Sequence, residues 1–154
     1  MRTLISRLET ELSVDVIHLW GMTEMSPVGT TSQRPRHWES MTREQQLDLK
    51  VKQGRIMWGV ELKIVDDSGR TLPNDGQAFG VVKVRGPWIT KRYFRSEGGD
   101  ILDEGGWFAT GDVATIDPFG YMQITDRAKD VIKSGGEWIS SIDLENAALV
   151  HPAV

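Results

Sequence analysis

Apolar and polar positions change period several times along the chain. Leu4, Ile5, Leu8 and Leu12 recur at spacings of one, three and four, with Arg2, Arg7, Glu9 and Glu11 between them. That pattern predicts an amphipathic helix. The apolar run from Val14 to Trp20, stopped by Gly21, predicts a short buried strand. Residues 26–39 carry Pro27, Gly29, Pro35 and a series of Thr and Ser, and read as an irregular loop. Thr42-Arg-Glu-Gln45 has the form of a capping box, which predicts a polar helix to about Lys50. Gly54 and Gly59 bracket another loop.

From Gly59 the period becomes two. Val60, Leu62 and Ile64 alternate with Glu61, Lys63 and Val65, and Asp67-Ser-Gly69 closes a hairpin. A second strand follows at Gly80–Arg85, after a Pro73-Asn-Asp-Gly76 turn. Val113–Ile116 and Tyr121–Thr125 form a further hairpin around Asp117-Pro-Phe-Gly120, whose Pro and Gly suit a type I turn. Val131–Lys133 is strand-like, and a last helix runs over about Ser141–Val150, stopping before His151-Pro152. The pattern is α+β.

Composition narrows the function classes. A length of 154 residues, 39% apolar and 26% charged, suits one ordinary domain with its own core. Lys plus Arg number 18 against 22 Asp plus Glu, a net charge of −4 that argues against nucleic-acid binding. The chain has no apolar run long enough for a transmembrane segment, and Arg7 and Glu9 interrupt the opening stretch, unlike a secretory signal. With no cysteine, thiolate catalysis, disulfides and Cys-ligated zinc are excluded. That absence suits a reducing compartment, and a cytoplasmic setting is the expectation.

Three clusters carry candidate chemistry. Trp20-Gly-Met-Thr-Glu24-Met-Ser-Pro27 follows an apolar strand, where α/β proteins place ligands. Thr23 offers a hydroxyl to phosphate, Glu24 a hard oxygen for Mg²⁺, and Trp20 a flat face for a base. Read as scaffold, the same residues are a turn cap, a solvated charge and a core ring. In Gly106-Trp-Phe-Ala-Thr-Gly-Asp112, one carboxylate after a glycine can accept from two vicinal hydroxyls, or can simply open the next strand as an Asx turn. Asp126-Arg-Ala-Lys-Asp-Val-Ile-Lys-Ser-Gly-Gly-Glu-Trp-Ile139 sets Arg127, with its fork geometry, and Lys129 ahead of a glycine pair. It is either a hinge or a charged surface turn.

Taken in order, these segments resemble the adenylate-forming superfamily of acyl-CoA synthetases, luciferases and peptide-synthetase adenylation domains. Trp20-Gly-Met-Thr-Glu24 is similar to its aromatic-Gly-x-Thr-Glu motif, and Gly80–Gly86 with Tyr93 to its Gly-Glu-Leu-x-x-x-Gly…Tyr segment, with Val81 where Glu is usual. Trp107-Phe-x-Thr-Gly-Asp112 is similar to the ribose motif, and Asp126-Arg-x-Lys-Asp130 through Gly136 to the hinge motif. The Asp130–Ser141 wording most resembles medium-chain fatty-acyl-CoA ligases and relatives acting on methylthiopropionate.

The resemblance implies an enzyme that activates a carboxylic acid with ATP to an acyl-adenylate and transfers the acyl group to coenzyme A, with Mg²⁺ as cofactor. It gives Thr23 and Glu24 catalytic contacts, Glu24 as metal ligand, and Trp20, Gly21, Met22 and Thr23 the nucleotide and acyl site. Asp112 would hold the ribose and Arg127 the ribose or phosphate. Lys129 would be the hinge, and Lys133, Gly135, Gly136, Glu137 and Trp138 the thioester-forming loop. Gly21 would leave the acyl pocket open, with Met22, Met25 and Val28 on its walls. The fold expected is the end of the large N-terminal domain over 1–125, a hinge at 126–130, and the first hairpin and helix of the small C-terminal domain over 131–154. The family's phosphate loop and late catalytic lysine have no counterpart here. The expectation is therefore a fragment that needs the rest of the enzyme chain and is inactive alone. A non-catalytic nucleotide-binding or interaction module is the alternative from another class.

Overall fold

The computed structural model describes residues 1–134 and 137–148, with the side chains of residues 133, 137, 138, 142, 143 and 146 left aside. It opens with helix α1 (Arg2–Leu12), which buries only Ile5. Antiparallel strands β1 (Leu19–Gly21), β2 (Val28–Thr31) and β3 (Arg55–Ile56) form a first sheet in the order β1-β2-β3. Helix α2 (Arg43–Lys50) lies between β2 and β3, and its capping box is complete: Thr42 accepts from Gln45 N–H, and the Gln45 side chain accepts from Thr42 N–H.

The second sheet holds the core. Strands β4 (Glu61–Val65), β5 (Phe79–Arg85), β6 (Phe108–Ile116) and β7 (Met122–Arg127) pair antiparallel in chain order. Ile64, Val82, Val84, Ala114, Ile116 and Met122 pack with Trp20 and Met25 from the first sheet's end of the chain. The Asp117–Gly120 turn closes as its composition predicts, with Gly120 N–H donating to Asp117 C=O at 2.8 Å. A small hairpin of β8 (Ile132–Ser134) and β9 (Glu137–Ile139) then leads to α3 (Ser141–Ala148). The α+β architecture expected from the sequence is the one found, and among the described residues no helix is long and apolar enough to cross a membrane.

Two local expectations are corrected. The strand expected over Val14–Trp20 is confined to Leu19–Gly21. Upstream, backbone groups find side-chain partners instead: Val16 N–H donates to Glu9 and His18 N–H to Ser32 Oγ. The loop expected over 26–39 contains β2, whose Thr30 is fully buried because its hydroxyl donates to Gln53 C=O at 2.7 Å. A burial pattern carried by Gly and Thr gives no hydrophobic period to read.

Lys50, on a helix that reads as polar, is buried. Its ammonium pairs with Glu9 and Asp15 and lies 5.5 Å from the Trp38 ring centroid, joining α2 to α1 and to the segment after it. Arg43 adds a 2.7 Å contact to Glu9. Burial pushes the Glu9 carboxyl up, but Lys50, the Val16 N–H and Arg43 outweigh it and hold the group below its ordinary range.

Candidate nucleotide site

The site starts from the end of β1. Trp20 points inward between two exposed neighbours and is only 9% exposed. Room for it comes from Gly29, where a Cβ would lie 2.9 Å from the Trp20 ring and 2.2 Å from Met25 Cε. The next residue, Gly21, is pressed against the returning chain: a Cβ there would lie 1.8 Å from the Pro27 carbonyl oxygen. The glycine is thus required by backbone packing, a constraint the sequence does not reveal.

Residues Thr23–Met25 make one 3₁₀ turn, with Met25 fully buried, Met22 half-buried against the core and Thr23 exposed. Half-buried Glu24 is held from a distant loop. Its Oε1 accepts from Tyr93 hydroxyl at 2.6 Å, and its C=O accepts from Thr90 N–H at 2.8 Å. Its Oε2 has no partner among the described residues, leaving one hard oxygen free. The bond to Glu24 raises the Tyr93 phenol above its ordinary range, with burial and the nearby negative charge adding to it.

Asp112 lies inside β6 rather than before a strand, opposite Arg127 of β7. It is 3% exposed and both oxygens are engaged. Oδ2 accepts from Trp20 Nε1 at 2.9 Å, and Oδ1 pairs with Arg127 Nη1 at 2.9 Å. The Arg127 side chain is 59% exposed, so this pair has a solvent-facing member. The adjoining Gly111 carbonyl accepts from Ala128 N–H at 2.9 Å, which ties the ribose-motif strand to the segment after β7. Gly111, Arg127, Ala128, Lys129 and Asp130 line an open cleft of about 660 Å³.

Thus Trp20, Asp112 and Arg127 are brought together, and Lys129 lies on the same cleft as Arg127. Glu24 forms a second group with Tyr93 and Thr90. Trp20, expected to offer a flat face, is placed in the core with its N–H edge on Asp112. Gly135 and Gly136 lie outside the described residues; Lys133, Glu137 and Trp138 are placed by backbone only, with Lys133 opposite Trp138 across the small hairpin. The sequence reading missed one contributor, Thr90, and gave Tyr93 and Gly111 only as motif positions. Tyr93 lies 69 residues from Glu24, and neither Thr90 nor Gly111 carries any local signal for its contact.

The AMP-binding enzyme family profile matches residues 1–94, more than half of the chain. The chain belongs to the AMP-binding enzyme family. It is 55% identical over 150 residues to a 3-methylmercaptopropionyl-CoA ligase of Ruegeria pomeroyi, covering 97% of this chain and 28% of that protein. It is 50% identical over 152 residues to a medium-chain-fatty-acid–CoA ligase of Ectopseudomonas oleovorans, covering 99% and 28%. Among solved structures it matches the O-succinylbenzoate coenzyme A synthetase of Bacillus subtilis in complex with AMP, with TM-score 0.76 and 28% identity over 99% of this chain and 29% of that one. The same synthetase with ATP and a magnesium ion matches with TM-score 0.75 at 29% identity, over 99% and 30%. This AMP-binding family member therefore spans about 28% of the length of the curated relatives it matches. Those relatives are CoA ligases, and adenylate-forming enzymes use ATP or AMP.

Proposed function

We propose that this chain supplies the ribose-facing and hinge portion of an AMP-forming acyl-CoA ligase. The enzyme converts a fatty or related carboxylic acid, ATP and coenzyme A into an acyl-CoA, AMP and pyrophosphate. The observation that carries the reading is Asp112, a buried carboxylate beside the cleft lined by Arg127 and Lys129. A carboxylate has about four acceptor positions. Trp20 and Arg127 use one on each oxygen, so one on each remains for the two hydroxyls of a ribose. Arg127, mostly exposed, turns its remaining donors to ribose or phosphate oxygens.

Glu24 fits Mg²⁺ through its free Oε2. Mg²⁺ commonly takes one or two carboxylates together with substrate phosphates and water. When bound, the ion offsets phosphate charge during carboxylate attack. Thr23, exposed on the same turn, donates to phosphate. Gly21, Met22 and Val28 face the acyl group. Lys129 is the hinge between residues 1–125 and 131–154. Lys133, Gly135, Gly136, Glu137 and Trp138 act in thioester formation. A cytoplasmic setting belongs to the same proposal.

The test is a chimera in which residues 1–150 of this chain replace their counterpart in the Ruegeria pomeroyi ligase. Acid- and ATP-dependent acyl-CoA formation, lost on Asp112→Ala, supports the reading. A folded chimera that forms no acyl-CoA contradicts it.

A further inference from the structure

We propose that the groove between residues 35–41, α2 and the β6–β7 turn binds a small organic anion with a flat apolar body. The groove has a volume of about 590 Å³ and shares no residue with the Asp112 cleft or with Glu24 and its partners. Ligand pockets commonly span roughly 300–1,000 Å³. Tyr121 is its most deeply buried lining residue, 3% exposed, and the Tyr121 hydroxyl donates to Gln33 C=O at 2.7 Å. Met41, Leu49 and Phe119 add apolar walls, and Arg36, His37 and Arg55 add polar ones. Walls from three chain segments make a concave hollow of ligand size rather than a flat apolar patch.

Folding does not account for the groove's two chemical features. The Asp117–Gly120 turn closes through Gly120 N–H to Asp117 C=O and Phe119 N–H to Asp117 Oδ1, and neither bond uses the Phe119 ring. That ring is 74% exposed in a turn where small polar residues are usual. The cations are also unanswered. Neighbouring Arg34 and Lys52 each meet a carboxylate at 2.7 Å, Asp15 and Asp117 respectively. Arg36 and Arg55 have no carboxylate partner among the described residues, and Arg55 lies 5.9 Å from the Tyr121 ring centroid instead. No carboxylate lines the groove among the described residues. Asp117, beside it, is occupied by Lys52 and by the N–H groups of Phe119 and Tyr121. In a chain of net charge −4, this is a local positive field over an apolar hollow. A carboxylate, sulfonate or phosphate suits the guanidiniums, whose forked donors match such groups. An aromatic body packs on Phe119 and Tyr121. A neutral ligand would leave the guanidiniums unpaired, and a small inorganic anion would leave the apolar walls unfilled.

The test uses the Ruegeria pomeroyi chimera and two fluorescent probes, anilinonaphthalene sulfonate and anilinonaphthalene, which differ only in the sulfonate. Fluorescence titrations compare the chimera with its Arg36→Gln/Arg55→Gln form and its Phe119→Ser form. All three positions are exposed, so the fold should be kept, and circular dichroism verifies it. Arg36→Gln alone serves if the double form does not fold. Loss of charge-assisted hydrogen bonds corresponds to about a tenfold effect. The expected result is saturable binding of the sulfonate, weakened about tenfold by the arginine substitutions, which leave the neutral probe unaffected. Phe119→Ser should weaken both probes. No readout requires acyl-CoA formation, so the outcome is independent of the ligase reading. No sulfonate binding, or sulfonate affinity unchanged by the arginine substitutions, overturns the proposal. Equal loss of both probes in the arginine form overturns the selectivity for an anion. A change of oligomeric state in that form, read by sedimentation, would make the groove a contact between copies and overturns it as well.

Discussion

Asp126, at the end of β7, and Ser141, the first residue of α3, share two hydrogen bonds. The Ser141 N–H donates to Oδ2 at 2.6 Å and its hydroxyl to Oδ1 at 3.0 Å. Asp126 is 1% exposed, and beside it the Ser140 hydroxyl donates to Thr125 C=O at 2.8 Å. A carboxylate from a distant strand thus satisfies a backbone donor at the start of α3 and favours the positive end of its dipole. The contact spans the proposed hinge, residues 126–130. Asp126→Ala should release α3 at a cost of about 1 kcal/mol, the usual worth of a lost helix cap. Hydrogen exchange at Ser141–Leu144 should accelerate while exchange in β4–β6 stays unchanged. Uniform acceleration would show that Asp126 supports the whole fold instead.

The same contact carries a pH dependence. Burial pushes the Asp126 carboxyl up, but the Ser141 N–H, Arg127 N–H and Ser141 hydroxyl outweigh it, so the group lies below its ordinary range. A lowered folded-state pKa contributes stability above the unfolded value, near 4, and loses it as pH falls through the folded value. Protection of α3 should therefore be constant at neutral pH and decline only below about pH 4. A decline centred near neutrality would contradict this assignment.

The Lys50 cluster predicts an asymmetry between two substitutions. Lys50→Met removes the cation while Arg43 still meets Glu9 and Arg34 still meets Asp15 at 2.7 Å, so stability should change by less than about 1 kcal/mol. Glu9→Gln leaves a buried ammonium with one half-exposed partner, Asp15, and should cost on the order of 2 kcal/mol or more. Urea unfolding of the two variants measures the difference. Equal losses would mean that the cluster acts through volume rather than charge.

Tyrosine titration reports on Glu24. Both tyrosines lie above the ordinary range, Tyr93 because of the Glu24 bond and Tyr121 chiefly because of burial. A raised tyrosine pKa contributes stability below the unfolded value, near 10, and loses it as pH rises through the folded value. Ultraviolet titration should show no tyrosine ionising at its free value in the wild type. In Glu24→Gln one of the two should return toward it. No change in Glu24→Gln would place the Tyr93 hydroxyl elsewhere in solution.

Gly21→Ala separates the two reasons for that glycine. The acyl-pocket reading predicts altered acid selectivity with normal stability. The 1.8 Å approach of the Pro27 carbonyl predicts a backbone shift and a loss of about 1–3 kcal/mol in this chain, without any substrate present. Thermal unfolding decides: an unchanged midpoint would remove the packing constraint.

Local chemistry was readable and distant contact was not. Thr42 and Gln45 lie three residues apart, so their capping box is written in the chain and is found intact. The Asp117–Gly120 turn and the strands on either side of it are equally local. Strand β2 escaped notice because Thr30 is buried through a hydroxyl bond to Gln53 rather than through apolarity. Lys50 reads as solvent-facing until Glu9 and Asp15 are brought to it by folding. At the site, sequence singled out Asp112, Arg127 and Trp20 separately. Their mutual geometry depends on β6–β7 register and on a contact between residues 92 positions apart.

The central claim is that Asp112 is a nucleotide contact, and calorimetry of the Ruegeria pomeroyi chimera with AMP tests it most directly. The account predicts measurable AMP binding that weakens at least tenfold in Asp112→Ala while α-helical circular dichroism is retained. Equal AMP affinity in the chimera and in its folded Asp112→Ala form would contradict it.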